Sequence, residues 1–408
     1  MRKIDLKSFK TAKQGTSREI NKQIALTLLR AHQPISRADL SRLMDTNRAN
    51  ITFLINDLLA EGLVREGATG NDVKRGRRPT FLHLNSQQRC AIAVDIRATR
   101  TYLMMTDMIG RQLENIVSFP TELDPTKFTK TLSWRIKQIL GDNKEISECE
   151  GIGLVVPGMT DIRSGKVLKA PTLGWHDVDL ITSLQKEFKG IPIYIENSGK
   201  ACALSQIWAT RTDIHSHNDL VFVSISDGVG VGIIINGELL RGRHNTAGEF
   251  GHIPLSIDGP PCSCGSNGCW EAYISNLATI SRYFGKNLVQ RQPLSLEAAN
   301  FTIEDLVKRA RGGDGKALAA LHLTARYLGL GLASIINVVD PSQIYLGGEI
   351  TEAWDLIESQ VRDGIKERTL TKELGLTPMC IVPAIEYPRL RGAVALVTAP
   401  AFAAPKVA

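Results

Sequence analysis

The sequence predicts an α/β protein in two parts: an N-terminal winged helix-turn-helix segment, followed by a larger body of two similar α/β lobes. Three observations predict this architecture. Positive charge is concentrated at one end: residues 1–85 hold 16 Lys+Arg against 8 Asp+Glu, whereas the rest of the chain holds 33 against 34. Hydrophobic spacing changes after residue 85, from three helix-period runs to strand-like runs alternating with helical ones. Two of those strand-like runs, at 90–96 and 220–226, are alike, with Asp95 closing the first and Asp227 following the second.

In the first part, Ile20, Ile24, Leu28 and Leu29 predict a helix over 17–30, with Ser17 as cap and Pro34 stopping it. Ser36 opens a second helix over 37–44, with Asp39 three residues on. Asp45 and Thr46 make the turn. A third helix over 47–61 buries Ile51, Leu54, Ile55, Leu58 and Leu59 and ends at Gly62. Two short strands, 63–66 and 80–84, then flank a loop carrying Arg75, Arg77 and Arg78, the form of a basic wing. Guanidinium groups on such a loop suit a minor groove, and Asn47, Arg48, Asn50 and Thr52 at the start of the third helix suit base edges and phosphates in a major groove, with Arg37 alongside. Double-stranded DNA is therefore the expected partner, against the plainer alternative of a small bundle for oligomer contacts. One such unit reads few base pairs, so a homodimer or a dimer of dimers is expected.

The whole chain has 408 residues and a net charge of +7, with ordinary globular composition and room for two or three domains. No apolar run approaches the length of a membrane span, and the first residues lack the apolar core of a signal peptide. Membrane insertion is not expected. The cytoplasm is the expected compartment, with reduced cysteines.

In the body, 90–96 is a buried strand with a hairpin partner over 100–106, followed by strands at 151–156 and 193–195. A second set begins at 220–226, and the break between lobes falls near 209–218. The segments expected are thus 1–85, 86–210 and 211–388. Inside the last, three of the seven cysteines fall within eight residues: Cys262, Cys264 and Cys269, shortly after His252. Thiolates and imidazole together suit a tetrahedral cation, zinc above all, and four protein ligands would make it structural, one ion per chain. Buried free thiols or a disulfide are the alternatives; a reducing compartment disfavours the latter.

The run Glu249-Phe250-Gly251-His252, then Cys262-Ser263-Cys264-Gly265-Ser266-Asn267-Gly268-Cys269-Trp270-Glu271, resembles the signature of the ROK family of sugar-responsive repressors and sugar kinases. The resemblance implies a structural zinc on His252, Cys262, Cys264 and Cys269, and a sugar held by Glu249, His252 and Glu271. It also implies the two-lobed, ribonuclease-H-like fold of actin and hexokinases, with a closing helix at 389–399 packed back on the first lobe. The basic N-terminal segment is similar to the winged helix of ROK repressors, which the family's kinases lack.

Two positions depart from the kinases of that family. Asp95-Ile96-Arg97-Ala98-Thr99 carries Arg97 where Asp-x-Gly-x-Thr needs glycine for close approach to phosphate. Glu196-Asn197-Ser198 carries Ser198 where the kinases have the aspartate that takes the sugar's proton; a neutral hydroxyl forfeits a general-base factor of roughly 10²–10⁴. Asn197 is still able to hydrogen-bond a sugar. The glycine-rich Asp227-Gly228-Val229-Gly230-Val231-Gly232 resembles a second phosphate loop, though glycines also serve any tight hairpin, and Leu346-Gly347-Gly348-Glu349 resembles the adenosine side. Thr172 stands where the family commonly has asparagine, so the ligand need not be plain glucose. The expectation is a repressor controlled by a sugar or sugar derivative, without catalytic residues; the alternative is a sugar kinase with an appended DNA-binding domain.

Overall fold

The computed structural model describes residues 14–67, 80–86, 88–209, 219–285 and 301–402. Helices Gln14–His32, Arg37–Leu43 and Arg48–Ala60 pack around Leu29, Leu40, Ile51, Ile55 and Leu58, all fully buried. Each such side chain contributes about 1.5–3 kcal/mol of burial. The caps are local sequence effects. Ser36 Oγ accepts the Asp39 N–H at 3.1 Å, and Asn47 Oδ1 accepts the Asn50 N–H at 2.8 Å, so the third helix begins one residue after its expected start. Asp45 makes the turn at φ 47°. Strands Ile35–Ser36, Phe81–Leu84 and Val64–Gly67 form an antiparallel sheet beside the helices. The loop holding Arg75, Arg77 and Arg78 lies outside the described residues.

The body holds two five-stranded sheets of one topology. In the first, Arg89–Ile96 is central, with the antiparallel strands Arg100–Asp107 and Val117–Pro120 on one side and the parallel strands Glu148–Val156 and Ile193–Asn197 on the other. In the second, Leu220–Ile225 is central. Val229–Ile235 and Glu238–Leu239 run antiparallel on one side, and Gln343–Gly347 and Met379–Val382 run parallel on the other. Central strands buried on both faces explain the near-continuous apolar runs of the sequence. Of the expected break between lobes near 209–218, Ala209 ends helix Ser198–Ala209 and the rest lies outside the described residues.

Two expectations need correction. The closing helix spans Pro388–Phe402, longer than 389–399 at both ends. It lies so close to the first sheet that a Cβ on Gly153 would stand 2.1 Å from Ala393 O. Helix Gly315–Val339 is, by length and composition, apolar enough to cross a membrane, which the sequence reading had not registered. Its apolar side chains, among them Leu321, Leu328, Leu332 and Ile336, instead build the core of the second lobe.

The N-terminal helix is tied to the body at its far end. Arg30 stacks on Trp208, 3.3 Å from the ring centroid, and donates to its carbonyl; Phe402 meets Trp208 edge-on at 5.4 Å; Thr27 Oγ1 donates to Phe402 O at 2.9 Å.

Candidate metal centre and ligand cleft

The cysteine loop is shaped by two left-handed glycines and one tryptophan. Gly265 and Gly268 have φ of +101° and +69°, and a Cβ on Gly268 would lie 1.6 Å from Ser256 O. Trp270, buried against Gly331, donates from Nε1 to Tyr327 O at 2.8 Å and pins the loop to the core helix. His252, Cys262, Cys264 and Cys269 then present ligand atoms that all lie within 4.8 Å of one another. Cys262 Sγ stands 3.7 Å from His252 Nδ1, and Cys264 Sγ stands 3.7 Å from Cys269 Sγ. Metal–sulfur bonds of about 2.3 Å in a tetrahedron put ligand atoms about 3.8 Å apart, so the set fits an ion. All seven cysteines are free thiols, and no disulfide competes for these three. Burial pushes the Cys262 thiol's pKa up, and Glu271 pushes it further; a cation is what would offset that cost.

The residues expected at a sugar gather around strand Val229–Ile235. Glu271 Oε2 accepts the Val229 N–H at 2.8 Å, while its Oε1 accepts from Ser263 Oγ at 3.0 Å. Asn197 is more occupied than expected: Nδ2 donates to Gly158 O at 2.7 Å and Oδ1 accepts from Gly199 N at 2.8 Å, capping helix Ser198–Ala209. Ser198 opens that helix, and the next residue packs backbone to backbone on the glycine-rich strand. A Cβ on Gly199 would stand 2.7 Å from the backbone of Gly230 and Val231.

A buried polar network lies behind these residues. Glu196, fully buried, accepts from Asn197 N at 2.9 Å, Asn245 Nδ2 at 3.1 Å and Arg241 Nη2 at 3.0 Å. Lys200, 1% exposed, donates to Asn245 O at 2.6 Å. Burial lowers its pKa, and the carboxylates of Glu196 and Glu249 pull it back up. The network joins loop 240–247 of the second lobe to the end of a first-lobe strand. A charged Lys200 within a helix of small apolar residues was the one hint available.

Arg97 follows the end of the first lobe's central strand. Its Nε donates to Asp95 Oδ2 at 2.7 Å, and its guanidinium lies 4.7 Å from the Tyr102 ring centroid. Burial, then repulsion from Glu349, raises the Asp227 pKa, with Arg389 and Arg97 opposing. Arg389 donates to Ser226 Oγ at 3.0 Å.

On the N-terminal unit, Asn47, Arg48, Asn50 and Thr52 are all exposed, as expected. Asn47 is engaged as cap, Thr52 Oγ1 donates to Arg48 O at 2.8 Å, and Arg37 is paired with Glu66 at 2.7 Å. A groove of about 610 Å³ opens on the flank of the third helix, lined by Arg18, Met44, Asn50, Phe53 and Asp57; it lies away from the cleft.

Residues 91–399 match the ROK family. The xylose repressor of Bacillus spizizenii is 30% identical over 361 residues, 88% of this chain and 89% of that protein. The crystal structure of a ROK family transcriptional regulator, a homologue of the E. coli MLC protein, superimposes with a TM-score of 0.77 at 24% identity, covering 95% of this chain and 98% of that one. A ROK family glucokinase from Streptomyces griseus, crystallised with glucose and AMPPNP, has a TM-score of 0.64 at 27% identity, covering 75% of this chain and 98% of its own.

Proposed function

The chain belongs to the ROK family, and we propose that it is a sugar-responsive transcriptional repressor. The extent of the similarity carries this. The glucokinase aligns almost completely yet covers only 75% of this chain. The similarity to a xylose repressor covers 361 residues, more than the 318 (408 less 90) available from residue 91 onward. The shared part therefore includes N-terminal sequence outside the family match.

In this reading residues 1–85 are a winged helix-turn-helix domain on operator DNA. Arg48, Asn50 and Thr52 meet the major groove, with Asn47 and Arg37 holding the helix, and Arg75, Arg77 and Arg78 form the wing. Segments 86–210 (with the closing helix) and 211–388 are the lobes. A sugar or sugar derivative lies between them against Asn197, Glu249, His252 and Glu271. His252, Cys262, Cys264 and Cys269 hold one zinc ion, which supplies structural cross-linking. With Nδ1 on the metal side, His252 keeps Nε2 to donate to a hydroxyl. The protein works in the cytoplasm as a homodimer or dimer of dimers, and closure of the cleft alters the spacing of the two DNA-binding units. The shift can be no larger than the ligand's differential affinity for the two states. Phosphoryl transfer is not part of this function: Ser198 offers no base, and Asp95–Arg97 fills the first phosphate turn.

The test is binding of the purified protein to DNA from upstream of its own coding region, across a salt series, with a panel of sugars. Salt-sensitive binding that one sugar weakens is expected. No specific binding, together with ATP turnover on any hexose, establishes the kinase alternative. In a Cys264→Ser variant, zinc content measured by mass spectrometry falls well below one ion per chain; full occupancy removes the zinc assignment.

A further inference from the structure

Phe53 is 74% exposed, the most exposed aromatic side chain among the large hydrophobics of the described residues. It stands on helix Arg48–Ala60, whose buried side chains Ile51, Leu54, Ile55 and Leu58 all face the N-terminal core. At about 100° per residue, Ala49, Thr52, Phe53 and Asn56 fall in one outward stripe about 100° wide, directly opposite that buried face. All four are exposed. Fully burying a phenylalanine is worth about 1.5–3 kcal/mol, so a helix that holds one out in water leaves that stabilisation unused within the chain. The stripe begins in the helix's first turn, the part of a recognition helix that reaches base edges. Its flanks carry Arg48 and Asn50, and the 1–85 segment carries an excess of eight positive charges (16 against 8). Asp57, next to Phe53 on one flank, is paired with Arg18, so the surroundings suit a polyanion, and the stripe itself carries two adjacent apolar side chains, Ala49 and Phe53. In a major groove one group answers that description: the C5-methyl of thymine, which apolar side chains contact.

We propose that Phe53, with the Ala49 methyl beside it, is a specificity-determining residue that reads thymine methyl groups in the operator's major groove. This rests on the DNA-binding reading above. It assigns each half-site at least one thymine whose methyl, not its hydrogen-bonding edge, is recognised. Arg48 and Asn50 then supply phosphate and polar contacts around the apolar pair Ala49 and Phe53.

The experiment separates the two layers. Full-length protein selects its preferred sequence from random duplex DNA, and each thymine of that sequence is then replaced in turn by deoxyuridine, which keeps every hydrogen bond and loses only the methyl. Binding is measured by fluorescence anisotropy at fixed salt. At one or two positions per half-site the wild type is expected to lose roughly fourfold affinity per methyl. Phe53→Ala weakens binding to the thymine operator by a similar factor or more, is indifferent to deoxyuridine at those positions, and keeps the salt slope, because no phosphate contact is lost. Absence of any methyl-sensitive position, or an unchanged deoxyuridine penalty in Phe53→Ala, overturns the inference while leaving DNA binding intact. A change of oligomeric state in Phe53→Ala by light scattering also overturns it, marking Phe53 as a contact between copies. If selection yields no preferred sequence, the DNA-binding reading fails and the inference with it.

Discussion

The two lobes share one strand order, yet their central strands end in opposite chemistry. The first closes on Asp95-Ile96-Arg97, an ion pair whose carboxylate is fully buried and whose guanidinium is 35% exposed. The second opens into Asp227-Gly228-Val229-Gly230, an acid raised in pKa and a run of glycines. In the first lobe an arginine occupies the turn where a ligand would otherwise approach. In the second the glycines remain, but each faces protein. A Cβ on Gly228 would meet Glu271 Oε2 at 2.8 Å, and one on Gly232 would meet Gly199 O at 2.4 Å and Ala203 Cβ at 2.6 Å. A glycine-rich loop of phosphate-binding appearance is thus explained by packing, within the second lobe at Gly228 and against helix Ser198–Ala209 at Gly232. Topology outlasts the chemistry built on it.

The comparison can be broken at three strengths. Gly232→Val pushes a branched side chain into helix Ser198–Ala209, and the expected loss is about 3 kcal/mol or more, read as a lower urea midpoint. A neutral result would mean that the lobes are not in backbone contact there. Arg97→Ala leaves the Asp95 carboxylate buried without its partner. A fully buried pair would cost ~3–5 kcal/mol to break, and partial exposure of Arg97 brings the expectation to about 2 kcal/mol. Asp95→Asn in the Arg97→Ala background should recover most of it, and a simple sum of the two single losses would show the pair to be uncoupled. Asp227→Asn is the smallest. The folded pKa of Asp227 lies above its ordinary 3.8, so the native state binds the proton more tightly than the unfolded chain does. The ionised form is therefore a cost that is present above the raised pKa and gone below about 3.8. The variant should melt slightly higher than wild type at pH 7, with the gap closing as pH falls; a gap that widens in acid would reverse the assignment.

Much of this was legible in the sequence because its signals are local. The cap at Ser36, the turn at Asp45, the duplicated strands and the cysteine spacing all act within a few residues, whereas Asn47, expected inside the third helix, proves to be its cap. The Cys/His set came together as its spacing implied. The Glu196–Arg241–Asn245–Lys200 network was not legible: its members lie up to 49 positions apart, and loop 240–247 has no periodicity to aim them. Asn197, expected at a sugar from its match to the kinases' Glu-Asn-Asp, and Arg37, expected beside DNA, also have partners inside the protein, and Gly158 and Glu66 lie 39 and 29 positions away, too far for local spacing to signal. Phe53 was passed over for the reason that makes it informative. Apolar residues in an amphipathic helix are assumed to face inward, and only the register set by Ile51 and Leu54 shows that this one faces out.

The contact of Thr27 and Arg30 with Phe402 and Trp208 sets an order of events during synthesis. The buried core of the N-terminal unit comes from residues 25–84 and Ile109, with Phe402 packed against it, and domains generally fold as units from the N-terminus as the chain emerges. The seat for its first helix is completed only by Phe402, made 375 residues after Thr27. A chain cut short before Phe402 would keep the Trp208 contact of Arg30 but lose the Thr27–Phe402 half of that seat. On the proposed reading, such a chain would couple the sugar to the DNA-binding unit less tightly.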